Sequence, residues 1–205
     1  MDTQQLNGFK TMNLYRNPFA SPTEEAIGTD FIGRKSVLKK MHEYIINADK
    51  ISNYHIVGLP RIGKSSLLKA FKTMIQENHY SHDLVVLYIS LDECDNSNDM
   101  WRIIGKGIRK ELKKQFHSSD KYTNFIDELD FEDVDENNID YEYVCSVARC
   151  MKASGFLGLI LIDEFDNFST IATKGTVGQV RTLFSGSEYG LRAVVASRRM
   201  VERIE

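Results

Sequence analysis

The stretch Gly58-Leu-Pro-Arg-Ile-Gly63-Lys64-Ser65 sets two glycines, a lysine and a hydroxyl at the spacing G-x-x-x-x-G-K-[ST]. Each type has a chemical reason to be there. The glycines let the backbone wrap closely around phosphate oxygens with its amide N–H groups turned inward. Lys64 supplies a point charge for the β- and γ-phosphates of a nucleotide, and the Ser65 hydroxyl can ligate Mg²⁺. A helix beginning at Lys64 would aim its positive dipole end at the same place. At average residue usage a chance match in a chain of this length has odds of roughly one in a hundred. The candidate cofactor-binding set in this stretch is Gly58, Pro60, Arg61, Ile62, Gly63, Lys64, Ser65 and Ser66.

A nucleotide–magnesium site also needs a carboxylate for the metal and a group that orients water. The apolar run Leu159-Ile-Leu-Ile162 ends in Asp163-Glu164, and ligands of open α/β sheets bind at the carboxyl ends of strands. Asp163 is assigned to the Mg²⁺ shell, reached through water, beside Ser65. Glu164 is the candidate for polarising the attacking water, and Lys64 completes the catalytic set with Arg198. Arg198 follows Ser197 at the end of another apolar run. If that strand neighbours the acidic one, the guanidinium comes within reach of the γ-phosphate. The alternative for Arg198 is a solvated cation in the run Arg198, Arg199, Arg203. Asp166 lies past the strand and is expected at a helix start or on the surface.

The elements that must position these groups follow from periodicity. Val37, Leu38, Met41, Tyr44 and Ile45 recur at helical spacing after Gly33. Tyr54 to Val57 reads as a short strand running into the loop, and Leu67, Leu68, Phe71 and Ile75 mark the helix behind it. The continuous apolar run Leu84 to Ile89 is the pattern of a strand buried on both faces. A helix over 98–116 carries Met100, Ile104, Ile108, Leu112 and Phe116, and another over 140–153 carries Val144, Val147, Ala148 and Met151. A strand over 157–162, a helix with Val177, Val180, Leu183 and Phe184, and a strand over 191–196 complete the pattern. Strands alternating with helices indicate a parallel α/β sheet. The expected fold class is α/β, a P-loop NTPase three-layer sandwich with a mostly parallel central sheet and the C-terminal lid absent.

Two stretches fall outside this alternation. Residues 1–30 are polar and irregular, with Pro18 and Pro22 preventing a continuous helix. Residues 118–142 hold ten acidic side chains against one lysine and read as a solvated insertion within a core of residues 31–205, with a partner-binding loop as the alternative. The window Asp133 to Asn138 lacks the glycine and the glutamate of a calcium loop and is not read as one.

The chain has 205 residues with a formal net charge of −3, so it presents no global basic field for nucleic acid or anionic lipid. The basic cluster Lys106, Arg109, Lys110, Lys113 and Lys114 falls on the polar face of its helix and reads as solvated. Cys94, Cys145 and Cys150 are three, widely spaced and without a C-x2-C pair, which points to reduced, packed thiols in a cytoplasmic protein. No apolar run reaches the length of a membrane span, so no membrane partner is expected.

With these residues in hand the sequence resembles the AAA+ and STAND group of P-loop NTPases, including origin-recognition-like ATPases, from about Asn17 to the end. The resemblance rests on Asn17-Pro18-Phe19, on Phe31-Ile32-Gly33-Arg34, on a Walker A loop at 58–65, a Walker B strand at 159–164, and Ala196-Ser197-Arg198. In such families the lead-in packs around the adenine, which makes Phe31, Ile32 and Arg34 candidates for base contact. Their members continue into a further strand, a helical lid and effector domains, so the resemblance implies an N-terminal portion of something longer. Its own C-terminal domains or other protomers would be partners besides ATP and ADP. The implied activity is that of an ATPase switch using ATP and Mg²⁺. No Asn-Lys-x-Asp guanine-reading motif is present, which favours adenine over guanine. A DNA-associated ATPase of origin-recognition or transposition-helper type and a non-hydrolysing nucleotide-binding scaffold are the alternatives.

Overall fold

The computed structural model describes residues 34–46, 53–77, 83–116, 135 and 138–200. The lead-in residues Phe31 and Ile32, and most of the acidic stretch 118–142, lie outside them. Four strands form: β1 (Tyr54–Val57), β2 (Leu84–Ser90), β3 (Leu157–Asp163) and β4 (Leu191–Ser197). All pairings are parallel and the spatial order is β1-β4-β3-β2. The helices are α1 (Lys35–Ile45), α2 (Lys64–Glu77), α3 (Ser97–Phe116), α4 (Tyr141–Ala153), the short α5 (Phe168–Ile171) and α6 (Lys174–Ser185).

The apolar runs of the strands bury both faces, because each face carries its own helical layer. On one side Val85, Leu87 and Ile89 of β2, Ile160 and Ile162 of β3, and Leu191 and Ala193 of β4 pack under α3, α4, α5 and α6. On the other, Leu84, Val86, Leu159, Leu161, Val194 and Ala196 meet Met41 and Ile45 of α1 and Leu67, Leu68, Phe71 and Ile75 of α2. Alternate residues of one strand point to opposite faces, so a single unbroken apolar run serves two cores. The result is a three-layer α/β/α sandwich.

Local sequence sets the element ends. Asp140 caps α4 by accepting the Tyr143 amide at 2.9 Å, and Thr173 and Thr176 form a capping box at the start of α6. The fourfold ladder of α3 is buried at Met100, Ile104, Ile108 and Leu112. Glu111 of α3 also receives Lys72 of α2 at 2.7 Å, both side chains being mostly buried, so an ion pair links helices from opposite layers.

Two departures from the periodicity stand out. Tyr44, expected on the buried face of α1, is 61% exposed and lies 6.5 Å from the Tyr54 ring. A 3₁₀ turn at Phe165–Asn167 and the short α5 follow β3, where the sequence pattern showed no element. They form because Phe165 and Phe168 stack with ring centroids 5.0 Å apart and drop into the core beneath α6. The three cysteines are free thiols, Cys94 and Cys145 buried and Cys150 half-buried. Burial, with Asp99, Glu93 and Asp95 nearby, pushes the Cys94 thiol up to about 11. Among the described residues no helix is long and apolar enough to cross a membrane.

Candidate phosphate-loop site at the carboxyl edge of the sheet

Parallel strands present all their carboxyl ends on one edge, and the observed order decides what meets there. β4 lies between β1 and β3, with Val57 level with Ser197 and Ile162 level with Val195. The loop leaving β1, the acidic end of β3 and the Ser-Arg end of β4 are therefore neighbours. The neighbour condition set for Arg198 is met.

The loop 58–63 turns tightly from β1 into α2. Gly63 sits at φ 84°, where a side chain would be strained. A Cβ on Gly58 would come within 2.1 Å of the Ile62 side chain, so the loop closes over that position. Pro60, Arg61 and Ile62 face solvent, while Ser65 is half-buried and Ser66 buried at the head of α2. The Gly58 amide donates to the Ser197 carbonyl at 3.1 Å, tying the loop to the end of β4. Lys64 is buried with only 5% of its surface exposed. Its ammonium donates to the carbonyls of Gly58 at 3.0 Å and Leu59 at 3.2 Å, as a buried charge must find partners.

Asp163 is 2% exposed. One carboxylate oxygen accepts the Tyr88 hydroxyl at 2.9 Å and the other the Glu164 amide at 2.9 Å. Tyr88 belongs to β2, so the strand on the far side orients this carboxylate. Glu164 is bent into the left-handed region at φ 47°, and its carboxylate meets Arg198 at 3.3 Å. Left-handed backbone costs a non-glycine residue on the order of 1 kcal/mol. Among the described residues three non-glycine residues adopt it, Arg34, Arg61 and Glu164. All three border this edge, and strain of this kind clusters at functional sites.

One placement corrects part of a sequence expectation. Asp166 stands in the first turn of the 3₁₀ helix, as expected of a helix start, but it is not a surface residue: it is 8% exposed and holds the turn after β4. It accepts the Arg198 amide at 2.5 Å and Arg199 Nε at 3.3 Å. Burial works against its ionisation, but the Arg198 amide and the Arg199 guanidinium outweigh that and hold the carboxyl below the usual range. Its place in the 3₁₀ turn, two residues past Glu164, is what brings it under β4; periodicity carried no sign of that turn. Arg34, for its part, reaches the loop itself, donating to the Ile62 carbonyl and, at 3.4 Å, to the Gly63 carbonyl.

His55 was also missed. It sits on β1 with Nε2 2.6 Å from the Ser197 hydroxyl, which in turn donates to the Arg199 carbonyl. Burial pushes the His55 imidazole below its ordinary 6.5, with Asp166 pulling the other way. A polar residue inside a four-residue strand gives no periodic signal. Only its pairing with Ser197, 142 residues away, reveals it.

The donor set is one of hard oxygens: a buried, doubly anchored carboxylate and a helix-head hydroxyl. This fits Mg²⁺, which keeps several waters and takes one or two protein oxygens alongside substrate phosphates. Among the described residues no cluster of three or more His, Cys, Asp or Glu could cage a metal, and such a site requires none.

The fold is shared with solved structures, among them a Walker-type ATPase. A Walker-type ATPase of Pyrococcus abyssi matches at a TM-score of 0.53 and 14% identity, over 85% of this chain and 47% of that one. The ORC1 protein of Aeropyrum pernix, solved in complex with DNA, matches at 0.52 and 14%, over 85% of this chain and 41% of its own. The chain thus spans less than half the length of either protein. No family model and no curated protein matches the sequence. The likeness establishes a P-loop NTPase fold.

The shifted groups at this edge predict a two-limbed pH dependence. Because folding lowers the His55 value, its stabilising contribution is full above pH 6.5 and is lost as pH falls below that. The lowered Asp166 value contributes above its ordinary 3.8 and is lost as pH falls through the folded value. Urea denaturation across pH 3 to 8 should show both limbs. His55→Gln should shrink the upper one, leaving the share of His42, whose imidazole burial also pushes down, and leave the lower unchanged. An unchanged upper limb would place its origin elsewhere.

Proposed function

We propose that this chain is the Mg²⁺-dependent ATP-binding core of an ATPase switch, comprising residues 31–205 with an acidic insertion at 118–142. The observation that carries the reading is the meeting, at one sheet edge, of the loop 58–65, the Asp163-Glu164 strand end and Arg198, with β4 placed between the other two strands. The fold shared with a Walker-type ATPase supports it.

Each residue then has a chemical task. Amides of the loop and the head of α2 receive phosphate oxygens. An ammonium carries three donors; loop carbonyls take two from Lys64, and the third serves a phosphate. Ser65 and Asp163 would hold Mg²⁺, Asp163 through water, with Tyr88 keeping the carboxylate aimed. When bound, the ion neutralises charge on the β- and γ-phosphates. Glu164 polarises the attacking water. In the geometry observed it is paired with Arg198, so a γ-phosphate that draws Arg198 away releases the carboxylate for that task. Binding and hydrolysis are coupled through one side chain, as a switch requires.

Glu164→Gln should keep the affinity for Mg·ATP within about twofold while lowering phosphate release by about 10²-fold or more. Arg198→Ala should lower turnover and remove the discrimination between ATP and ADP. Titration calorimetry and a phosphate-release assay check both. Binding with no detectable turnover in wild type would leave the nucleotide-binding scaffold and remove the hydrolytic half of the reading.

A second reading, a DNA-associated ATPase, draws on the exposed Lys110, Lys113 and Lys114 of α3 and on the fold shared with a protein solved on DNA. Neutralising these lysines should then abolish a salt-dependent affinity for duplex DNA in a fluorescence-anisotropy titration. Equal binding by the neutralised variant, or none by wild type at low salt, would set this reading aside.

A further inference from the structure

We infer that Arg34 is a positioning residue for the phosphate loop, acting on its backbone and not on the base of the nucleotide. The inference rests on the phosphate-loop reading of residues 58–65. Arg34 immediately precedes α1, and its carbonyl starts that helix by accepting Val37 at 2.9 Å and Leu38 at 3.0 Å. Its own backbone is in the left-handed region at φ 55°. From that bend the side chain crosses to the loop. One terminal nitrogen donates to the Ile62 carbonyl and the other, at 3.4 Å, to the Gly63 carbonyl.

Those two carbonyls are not arbitrary. In a planar trans peptide the C=O of one residue and the N–H of the next point in opposite directions. The Ile62 carbonyl therefore shares a rigid plane with the Gly63 amide, and the Gly63 carbonyl with the Lys64 amide. The Gly63 carbonyl is held by two donors, the Leu67 amide of α2 at 3.0 Å and Arg34 at 3.4 Å, while the Ile62 carbonyl accepts from Arg34; together these contacts turn the Gly63 and Lys64 amides the other way. These are the amides that sit where a phosphate would be cradled. Gly63, with no side chain and φ 84°, is the residue in the loop most in need of such a hold, since glycine has the widest backbone freedom. The planar fork of arginine can hold two adjacent carbonyls at once, and a lysine offers no such fixed pair of donors.

The opposite end of the loop is anchored by the Gly58 amide on Ser197. Arg34 thus supplies the second anchor and joins the loop to α1. Helix α1 packs through Met41 and Ile45 on the core that also holds α2, so the anchor is backed by a rigid element.

A ligand without a base tests this directly. Mg²⁺ with ATP, and Mg²⁺ with inorganic tripolyphosphate, are titrated into wild type, Arg34→Ala, Arg34→Lys and Lys64→Ala. Arg34→Ala should weaken both ligands by the same factor, about tenfold for the loss of charge-assisted hydrogen bonds at an exposed position. Arg34→Lys should recover little of it. Hydrogen exchange of the ligand-free protein supplies a second readout: amides of the peptide spanning 58–65 should exchange faster in Arg34→Ala, with the ligand-free melting temperature unchanged. A loss confined to ATP would overturn the inference in favour of base contact. Full recovery with lysine would reduce the residue to a diffuse positive charge, and unchanged exchange would show that the loop does not depend on it. Lys64→Ala that binds both ligands like wild type would instead remove the phosphate-loop reading itself.

Discussion

β4 hydrogen-bonds to a parallel neighbour on each side, β1 through Tyr54↔Val194 to Val57↔Ser197 and β3 through Gly158↔Leu191 to Ile162↔Val195. The geometry of the candidate site depends on that double pairing. Side chains from three separate regions of the chain can converge only if their strand ends are held at fixed spacing, and parallel neighbours lie about 4.8 Å apart. With β4 in the middle, the loop after β1 and the carboxylates after β3 are separated by one strand. The same strand then supplies the Ser197 carbonyl that ties down the loop and the Arg198 that meets Glu164.

The electrostatics follow from burial. Lys64, Asp163 and Asp166 are all buried, and a buried charge costs several kcal/mol unless it is hydrogen-bonded. Each is satisfied locally: Lys64 by two loop carbonyls, Asp163 by a hydroxyl and an amide, and Asp166 by an amide and a guanidinium. These partners keep the charges in place before any ligand arrives, and preorganised groups of this kind need little rearrangement when charge develops. Arg198 differs from them: its side chain is 55% exposed where it meets Glu164, which leaves it the freer of these charges to move.

Much of the fold was legible because a strand buried on both faces and an amphipathic helix leave different periodic marks. Leu84 to Ile89 and the ladder Met100, Ile104, Ile108 and Leu112 are examples, and both stand as read. The candidate phosphate loop stands out in the sequence because its pattern is compressed into eight consecutive residues. What periodicity could not show was anything that depends on three-dimensional neighbours. Asp166 looks like a surface residue until the turn Phe165–Asn167 folds it under β4, and His55 acquires a partner only once β1 lies beside β4. Arg34 is the instructive case. Nothing in the spacing of the lead-in shows that its side chain reaches the Ile62 and Gly63 carbonyls, a contact that exists only in three dimensions.

The most direct test of the account is thermal unfolding of wild type and Lys64→Ala with and without Mg·ATP. Ligand at about a hundred times its dissociation constant stabilises a folded domain by roughly 2.7 kcal/mol, a shift on the order of 5–10 °C for a chain of this size. The account predicts that shift in wild type and its loss in Lys64→Ala. An equal shift in both proteins would show that nucleotide binds without the loop's lysine and would contradict the assignment of residues 58–65 as the phosphate site.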